Sequence, residues 1–377
     1  MKGRDGLIAA WGGRLPLADG VEPVSLCEGA TPLIQLRNIP AGLKTPVEIH
    51  VKYEGLNPTG SFKDRGMTVA VTQAVGEGSR ALICASTGNT SASAAAYGAR
   101  AGLAVFVLIP DGNIALGKLA QAIIEGAVVV QIKGNFDQGM ELVKTLARQA
   151  PVTLVNSVNP YRLQGQKTAA FEIVEALGDA PDYHCLPVGN AGNISAYWMG
   201  YSEAAGQPSG CVEKAKQALG DAYRCDGGAF ATRRPRMLGY QAAGAAPIVL
   251  GRKVEKPDTV ATAIRIGNPQ SWEMALMAGE ESGGWFDRLS DEEILAAQRM
   301  LAEREGIFCE PASAISIAGL MKDIEAGKIK AGSRIVCTLT GHGLKDPDVA
   351  IRQAQGEIRT VEPELEAVKA VIGARLG

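Results

Sequence analysis

Cys185-Leu186-Pro187-Val188-Gly189-Asn190-Ala191-Gly192-Asn193-Ile194-Ser195 joins an apolar run to a glycine–asparagine turn and then to the opening of an amphipathic stretch. The run has the length of a buried strand, and 194–205 has the spacing of a helix. Glycine and asparagine tolerate positive φ, which turns successive N–H groups into one concavity. At a helix N-terminus that concavity favours an anion. The stretch matches neither G-x-x-x-x-G-K-[ST] nor G-x-G-x-x-G. It admits two readings: a phosphate cup, or a plain glycine-rich turn between strand and helix.

The same unit recurs along the chain. Strand-like runs fall at 47–51, 81–84, 105–109, 128–132, 153–155, 185–188 and 335–339. Helical stretches fall at 62–75, 90–101, 115–125, 136–149, 164–177 and 194–205, and later at 291–305, with Ser290 as its cap, and 363–376. Strands alternating with helices predict an α/β fold of open, twisted, mostly parallel sheets flanked by helices. Ligands then gather at the carboxyl ends of strands. The stretch 206–236 is the least patterned. It reads as a surface excursion, and its Arg233-Arg234-Pro235-Arg236 cluster as a solvated face.

Four more loops lie beside predicted strands. Asn57-Pro58-Thr59-Gly60-Ser61-Phe62-Lys63-Asp64-Arg65-Gly66 places a lysine just after a Pro/Gly turn, with Ser61 as the expected N-cap. An ammonium beside the positive end of a helix dipole is disfavoured, so the position favours the neutral, nucleophilic amine. A lone lysine also reads as an ordinary solvated side chain. Ala85-Ser86-Thr87-Gly88-Asn89-Thr90-Ser91 converges hydroxyls, an amide and backbone N–H groups at a helix start, which suits a carboxylate; it also reads as a capped turn. Asn156-Ser157-Val158-Asn159-Pro160-Tyr161-Arg162 offers polar side chains and one guanidinium, suited to a second phosphate. Thr338-Leu339-Thr340-Gly341-His342-Gly343 presents a hydroxyl at a strand end. A cofactor carrying both an aldehyde and a phosphate would use the lysine and the cup together, and pyridoxal phosphate is such a cofactor.

Composition narrows the classes. With 377 residues and 46% hydrophobic content the chain can form two domains with cores of their own. A net charge of −2 leaves no footprint for nucleic acid or an anionic membrane. No apolar run is long enough to span a bilayer. The first residues lack the apolar core of a signal peptide, so a cytoplasmic location is expected. Seven scattered cysteines fit buried free thiols in a reducing compartment, and three distant histidines form no metal pattern.

These motifs carry a resemblance. Lys63 within Gly60-Ser61-Phe62-Lys63-Asp64-Arg65, the Ser86–Thr90 loop and the Gly189-Asn190-Ala191-Gly192-Asn193 cup resemble the fold-type II pyridoxal-phosphate enzymes. Within that group the chain is similar to the threonine synthases. That similarity is carried by the 156–162 and 187–193 loops, Glu28-Gly29-Ala30-Thr31-Pro32-Leu33, Ile307-Phe308-Cys309-Glu310-Pro311-Ala312-Ser313-Ala314 and Leu339-Thr340-Gly341-His342-Gly343-Leu344-Lys345-Asp346. The resemblance implies cofactor in the cleft between two domains, and conversion of O-phospho-L-homoserine and water to L-threonine and phosphate. It makes Lys63 the Schiff-base lysine and the acid–base group. Asn89 would bond the cofactor's phenolic oxygen, Gly189, Asn190, Ala191, Gly192 and Asn193 its phosphate, and Thr340 its pyridine nitrogen. Ser86, Thr87 and Thr90 would take the substrate carboxylate, and Asn156, Ser157, Arg162 and Asn190 the substrate phosphate.

The domain division implied is 1–52 with 152–347 as the large domain, 53–151 as a small inserted domain and 348–377 as a tail. A homodimer is implied by analogy. Two other activities share part of this pattern. A threonine or serine dehydratase would use Lys63 and the cup but needs no second phosphate site at Arg162, and the stretch after Lys345 is short for its regulatory domain. A non-catalytic pyridoxal-phosphate-binding protein would not need Lys63, Asn89 and Arg162 together. The short N-terminal arm leads to the expectation that an extended regulatory region is lacking.

Overall fold

Ten strands among the described residues carry the alternating pattern: β1 (Leu33–Gln35), β2 (Glu48–Tyr53), β3 (Ala81–Ala85), β4 (Ala104–Pro110), β5 (Val128–Ile132), β6 (Val152–Leu154), β7 (Tyr183–Pro187), β8 (Arg236–Ala242), β9 (Trp285–Leu289) and β10 (Arg334–Leu339). The computed structural model describes residues 5–86, 88–111, 116–133, 136–353 and 360–376. The chain divides into two compact units, Met1–Asp346 and Pro347–Gly377. In the second, the described helices are Pro347–Gln353 and Leu365–Leu376.

Within the first unit the strands form two sheets, β1-β2-β10-β7-β8-β9 and β5-β4-β3-β6. Every strand pair is parallel except β1–β2. Parallel strands need both faces covered, which is why their sequences are apolar without alternation. In the large sheet Ile49, Val51, Cys185, Leu238, Ile335 and Cys337 pack on one side with Ile315, Ile317 and Leu320 of the helix Pro311–Glu325. Leu186 and Val336 pack on the other side with Phe171, Ile173 and Trp198. The small sheet takes its last strand from β6, and so runs past residue 151.

The helix Lys63–Gly76 lies between the sheets. Met67, Ala70 and Val71 pack with Leu82 and Cys84 of the small sheet. Its other side meets the helix Pro160–Leu177 at a glycine crossing. A Cβ on Gly165 would lie 1.8 Å from the Arg65 carbonyl oxygen, and one on Gly66 would lie 2.7 Å from that of Arg162. The helix Gly192–Ala204 repeats the device: a Cβ on Gly200 would lie 2.4 Å from the Lys167 carbonyl oxygen. Three helices are thus locked backbone to backbone. The middle one is delimited locally, with the Asn159 side chain accepting the Tyr161 N–H at 3.0 Å, Pro160 in its first turn and Gly178 at φ 77 after its end.

A buried ion cluster ties the same elements together. Arg65 reaches Glu172 at 2.6 and 2.7 Å and Glu54 at 2.8 Å, and Lys52 reaches Glu172 at 2.6 Å. Against the cost of its desolvation, Arg65 and Lys52 hold the Glu172 carboxyl well below the usual range. Thr31, near the chain start, donates to Glu54 and accepts from Arg65.

Most expected elements fold within a residue or two of their bounds, and the capping box at Ser290 and Glu293 forms. Ser61 departs from expectation. The helix begins at Lys63 after Phe62, and the Ser61 hydroxyl makes only a 3.4 Å contact with the Lys63 N–H. The strands β1, β8 and β9 and the helices Gly210–Leu219, Trp272–Ser282 and Pro311–Glu325 lie outside the sequence expectations. β8 is masked in sequence by Gly239, which is required because a Cβ there would lie 2.4 Å from the Phe286 ring.

The stretch 206–236 is not a loose excursion. Arg14 donates to the Gly227 and Gly228 carbonyls at 2.8 and 2.7 Å and lies over the Phe171 and Phe230 rings. The arginine cluster is not a plain solvated face either. Arg233 pairs with Asp182 at 2.7 Å, and Arg234 lies over the Trp198 ring.

Replacing Arg65 by Met leaves the buried Glu54 carboxylate without its cation and Glu172 with Lys52 alone. The substitution is expected to cost about 3–5 kcal/mol, read as a lower denaturation midpoint at unchanged slope. A loss under about 1 kcal/mol, the size of an exposed pair, would contradict the role given to the cluster.

Candidate active site

Neighbouring parallel strands end their loops at one edge, so β2, β10 and β7 bring three of the predicted loops together. Main-chain bonds pin them. The Phe62 N–H donates to the Thr340 carbonyl at 2.9 Å and the His342 N–H to that of Gly60 at 2.9 Å. Glu310 joins through its N–H, which donates to the Gly341 carbonyl at 3.1 Å. Gly60 sits at φ 85, where only glycine turns without strain.

Lys63 is the first residue of its helix and is half-buried, with its Nζ 4.2 Å from the centre of the Phe62 ring. Burial and the nearby Arg162 guanidinium draw Lys63 down to about 7, against the opposing pull of Glu310. The amine is therefore available in its neutral form near neutral pH, as the sequence position suggested.

The cup follows β7. Ala191 turns at φ 66, and the helix Gly192–Ala204 starts immediately after it. A Cβ on Gly189 would lie 2.9 Å from the Ile264 main chain. The first N–H groups of that helix have no carbonyl partner inside it. The Nδ2 of Asn193, itself buried, has no protein partner. Asn190 is engaged elsewhere, donating to the Ser157 hydroxyl and accepting the Gln270 N–H at 2.7 Å.

Arg162 is the second anion feature. It is 1% exposed, and its Nη1 donates to the Val155 carbonyl at 2.9 Å. Its Nε and Nη2 have no protein partner. Burial lowers it to about 10, which leaves it a cation at neutral pH. A buried guanidinium with unused donors is costly unless an anion completes it.

Ser86, Asn89 and Thr90 are half-buried at the carboxyl end of β3, whereas Thr87 lies outside the described residues. The amide of Asn156 is used at both ends by Ala85, accepting its N–H at 2.8 Å and donating to its carbonyl at 2.9 Å. It therefore clamps the end of β3 to the start of the 156–162 loop rather than facing a ligand. Ser157 accepts from Asn190 and keeps its own proton to donate.

Thr340 is buried beside Ser313, at 2.9 Å. Glu310 and Ser313 lie beside Asn89 and Thr340, and the sequence marks them only as part of a motif. A carboxylate immediately before Pro311, at a helix start flanked by small residues, was the available signal. Burial pushes the Glu310 carboxyl up, while Asn89, Lys345, Lys63 and Thr340 oppose the shift.

The donor set fits pyridoxal phosphate: a neutral amine at Lys63, orphaned donors and an N-terminal concavity for its phosphate, and a hydroxyl at Thr340. A model of pyridoxal-phosphate-dependent enzymes matches residues 24–341. The solved threonine deaminase isoform 2 of Solanum lycopersicum, in its processed form, superposes with a TM-score of 0.68 at 20% identity, covering 87% of this chain and 84% of that one, and so shares the fold. Fold, site and family match define the class as a fold-type II pyridoxal-phosphate-dependent enzyme. The threonine synthase of Mycobacterium tuberculosis is 58% identical over 348 residues, 92% of this chain and 90% of that protein. The threonine synthase of Synechocystis is 53% identical over 369 residues, 98% of this chain and 91% of that protein. The chain belongs to the threonine synthase family.

Attachment of pyridoxal phosphate to the cofactor-free protein is expected to accelerate with rising pH, with a midpoint of about 7 set by Lys63. Stopped-flow absorbance reads the rate, and a midpoint near that of a free lysine would contradict the site's electrostatics. The sign for stability follows from the same lowering. Below about 7 the folded chain carries a proton in a cleft that disfavours it. Lys63→Met is therefore expected to stabilise the cofactor-free protein at pH 6, and by less at higher pH.

Proposed function

We propose that this chain is a threonine synthase that converts O-phospho-L-homoserine and water to L-threonine and phosphate, a pyridoxal-phosphate-dependent lyase reaction closing threonine biosynthesis. The observation that carries the proposal is Arg162, a buried cation with unused donors at a second anion position beside the lysine. An enzyme acting on serine or threonine alone has no use for it.

Bound cofactor supplies an aldehyde for the substrate amine and a ring that takes up electron pairs released at the substrate's carbons. The cup of Gly189, Asn190, Ala191, Gly192 and Asn193 would hold its phosphate, with the Asn193 amide as side-chain donor. Asn89 and Thr340 would orient its ring. Ser86, Thr87 and Thr90 would hold the substrate carboxylate with hydroxyls and the N-terminal N–H groups of the helix Asn89–Ala101.

Lys63, neutral above about 7, would take the proton from the substrate α carbon and serve again as acid and base as the β proton leaves. Arg162, with the Ser157 hydroxyl, would bind the γ-phosphate. Charge on its oxygens grows as the bond to the γ carbon breaks, so a buried cation favours that step. Asn156 and Asn190 would serve the same phosphate by fixing its loop. Water then adds at the β carbon. Released phosphate held at Arg162 would stay close enough to assist that addition.

The reading extends to a small lobe at 53–151 that closes on substrate about hinges near Tyr53 and Pro151; three of the four strands of the second sheet, β3, β4 and β5, lie within those bounds. It also extends to a homodimer in the cytoplasm, supported by family analogy.

Purified holoenzyme is expected to release phosphate and threonine from O-phosphohomoserine in equal amounts. Arg162→Ala is expected to lower kcat/KM by at least about a hundredfold, the scale of losing one buried charge-assisted contact in the transition state. Deamination of threonine to a keto acid with no phosphate released would point instead to a dehydratase. A protein that binds cofactor and does neither would be a carrier.

A further inference from the structure

The carboxylate of Glu310 lies between the two side chains assigned to the cofactor ring. Its Oε2 and Oε1 are 3.1 and 3.4 Å from the Asn89 Nδ2, and its Oε1 is 3.3 Å from the Thr340 Oγ1. The approach is built in. A Cβ on Gly341 would lie 2.5 Å from the Glu310 Oε1, so only glycine admits the carboxylate there. Ser313 fixes the other side of Thr340 at 2.9 Å, and its hydroxyl accepts the Gly341 N–H at 2.9 Å. Glu310 itself is 4% exposed. The charged and titratable groups that face it are Lys63, Lys345 and the Cys309 thiol.

Asn89, Lys345, Lys63 and Thr340 oppose the upward pull of burial and favour the ionised form of Glu310, and an ionised carboxylate only accepts. The Asn89 amide must therefore turn its NH2 toward Glu310, which leaves its second N–H to donate elsewhere. With Ser313 donating to Thr340, the single Thr340 proton turns on Glu310, which leaves one hydroxyl lone pair outward. We propose that Glu310 is a positioning residue that sets hydrogen-bond polarity at the cofactor ring, holding Asn89 as a donor to the phenolic oxygen and Thr340 as an acceptor from the pyridine nitrogen. This rests on the assignment of Asn89 and Thr340 to the cofactor. Thr340 then relays the carboxylate's charge to the ring nitrogen and favours its protonated form, although a hydroxyl alone carries no such preference. The same charge also favours a proton on the nitrogen of Lys63, which it faces.

Glu310→Gln separates polarity from shape. Its amide oxygen must serve the Asn89 NH2, so its own NH2 turns on Thr340 and reverses the hydroxyl. Two readouts apply besides turnover: the pH titration of the bound cofactor's visible absorbance, and the Kd for pyridoxal phosphate from fluorescence quenching. Loss of a nearby opposite charge is expected to lower the titration midpoint by about one unit. Kd is expected to rise about tenfold, the scale of one charge-assisted bond. Glu310→Asp keeps the charge but withdraws it, so its midpoint falls between wild type and Glu310→Gln, and it decides the matter alone if Glu310→Gln does not fold. A midpoint unchanged in both variants, or one lower in Glu310→Asp than in Glu310→Gln, overturns the inference. Asn89→Ala and Thr340→Val separate the two levels. If neither changes the spectrum or Kd, the assignment of those two residues falls. If they do and the Glu310 variants do not, only the role of Glu310 falls.

Discussion

One guanidinium, that of Arg65, sets the geometry on which the site depends. It is 1% exposed and divides its donors between Glu54, just after β2, and Glu172, on the helix Pro160–Leu177. Lys63 lies two residues before it on the same helix. Fixing Arg65 therefore fixes the lysine against the large sheet and against the helix that presents Arg162. Bidentate arginine–carboxylate pairs confer direction as well as energy, which a flexible ammonium does not. The glycine crossing at Gly66 and Gly165 supplies the steric half of the same constraint. Charge and close packing thus bring a lowered amine and a buried cation with unused donors to one place through a single helix pair.

The site's electrostatics follow from that placement. Lys63 and Arg162 are two cations in one cleft, each lowered by burial, with Glu310 as the opposing charge. Such an arrangement suits a cofactor and a substrate that both bring phosphate. It also resolves a tension in the chemistry. The base must be neutral to take a proton, while the phosphate must meet a cation; desolvation affects the lysine enough to neutralise it near pH 7 and leaves the guanidinium charged.

Much of this was legible in the sequence. The strand–loop–helix units gave the parallel sheets, because buried parallel strands must be apolar throughout, and the glycine and asparagine loops stood out at their ends. Lys63, the cup and Arg162 were visible because each residue type has a restricted chemistry. What escaped was set by tertiary contacts. β8 is interrupted by a glycine whose reason is the Phe286 ring of a neighbouring strand. The 206–236 stretch looked loose because its anchors, Arg14, Asp182 and Trp198, are distant in sequence. Asn156 and Glu310 show the same limit at the site. Composition marks both as polar loop residues, and only their partners show that one clamps Ala85 while the other reaches Asn89 and Thr340.

Lys63, lowered by burial at the first turn of its helix, is the amine expected to carry the cofactor. Reduction of the pyridoxal-phosphate-loaded protein with borohydride, followed by digestion and mass spectrometry, locates that amine directly. One pyridoxyl label per chain is expected, on the peptide containing Lys63, and none on Lys345 or Lys52. A label on either of those lysines, or on no lysine, would contradict it.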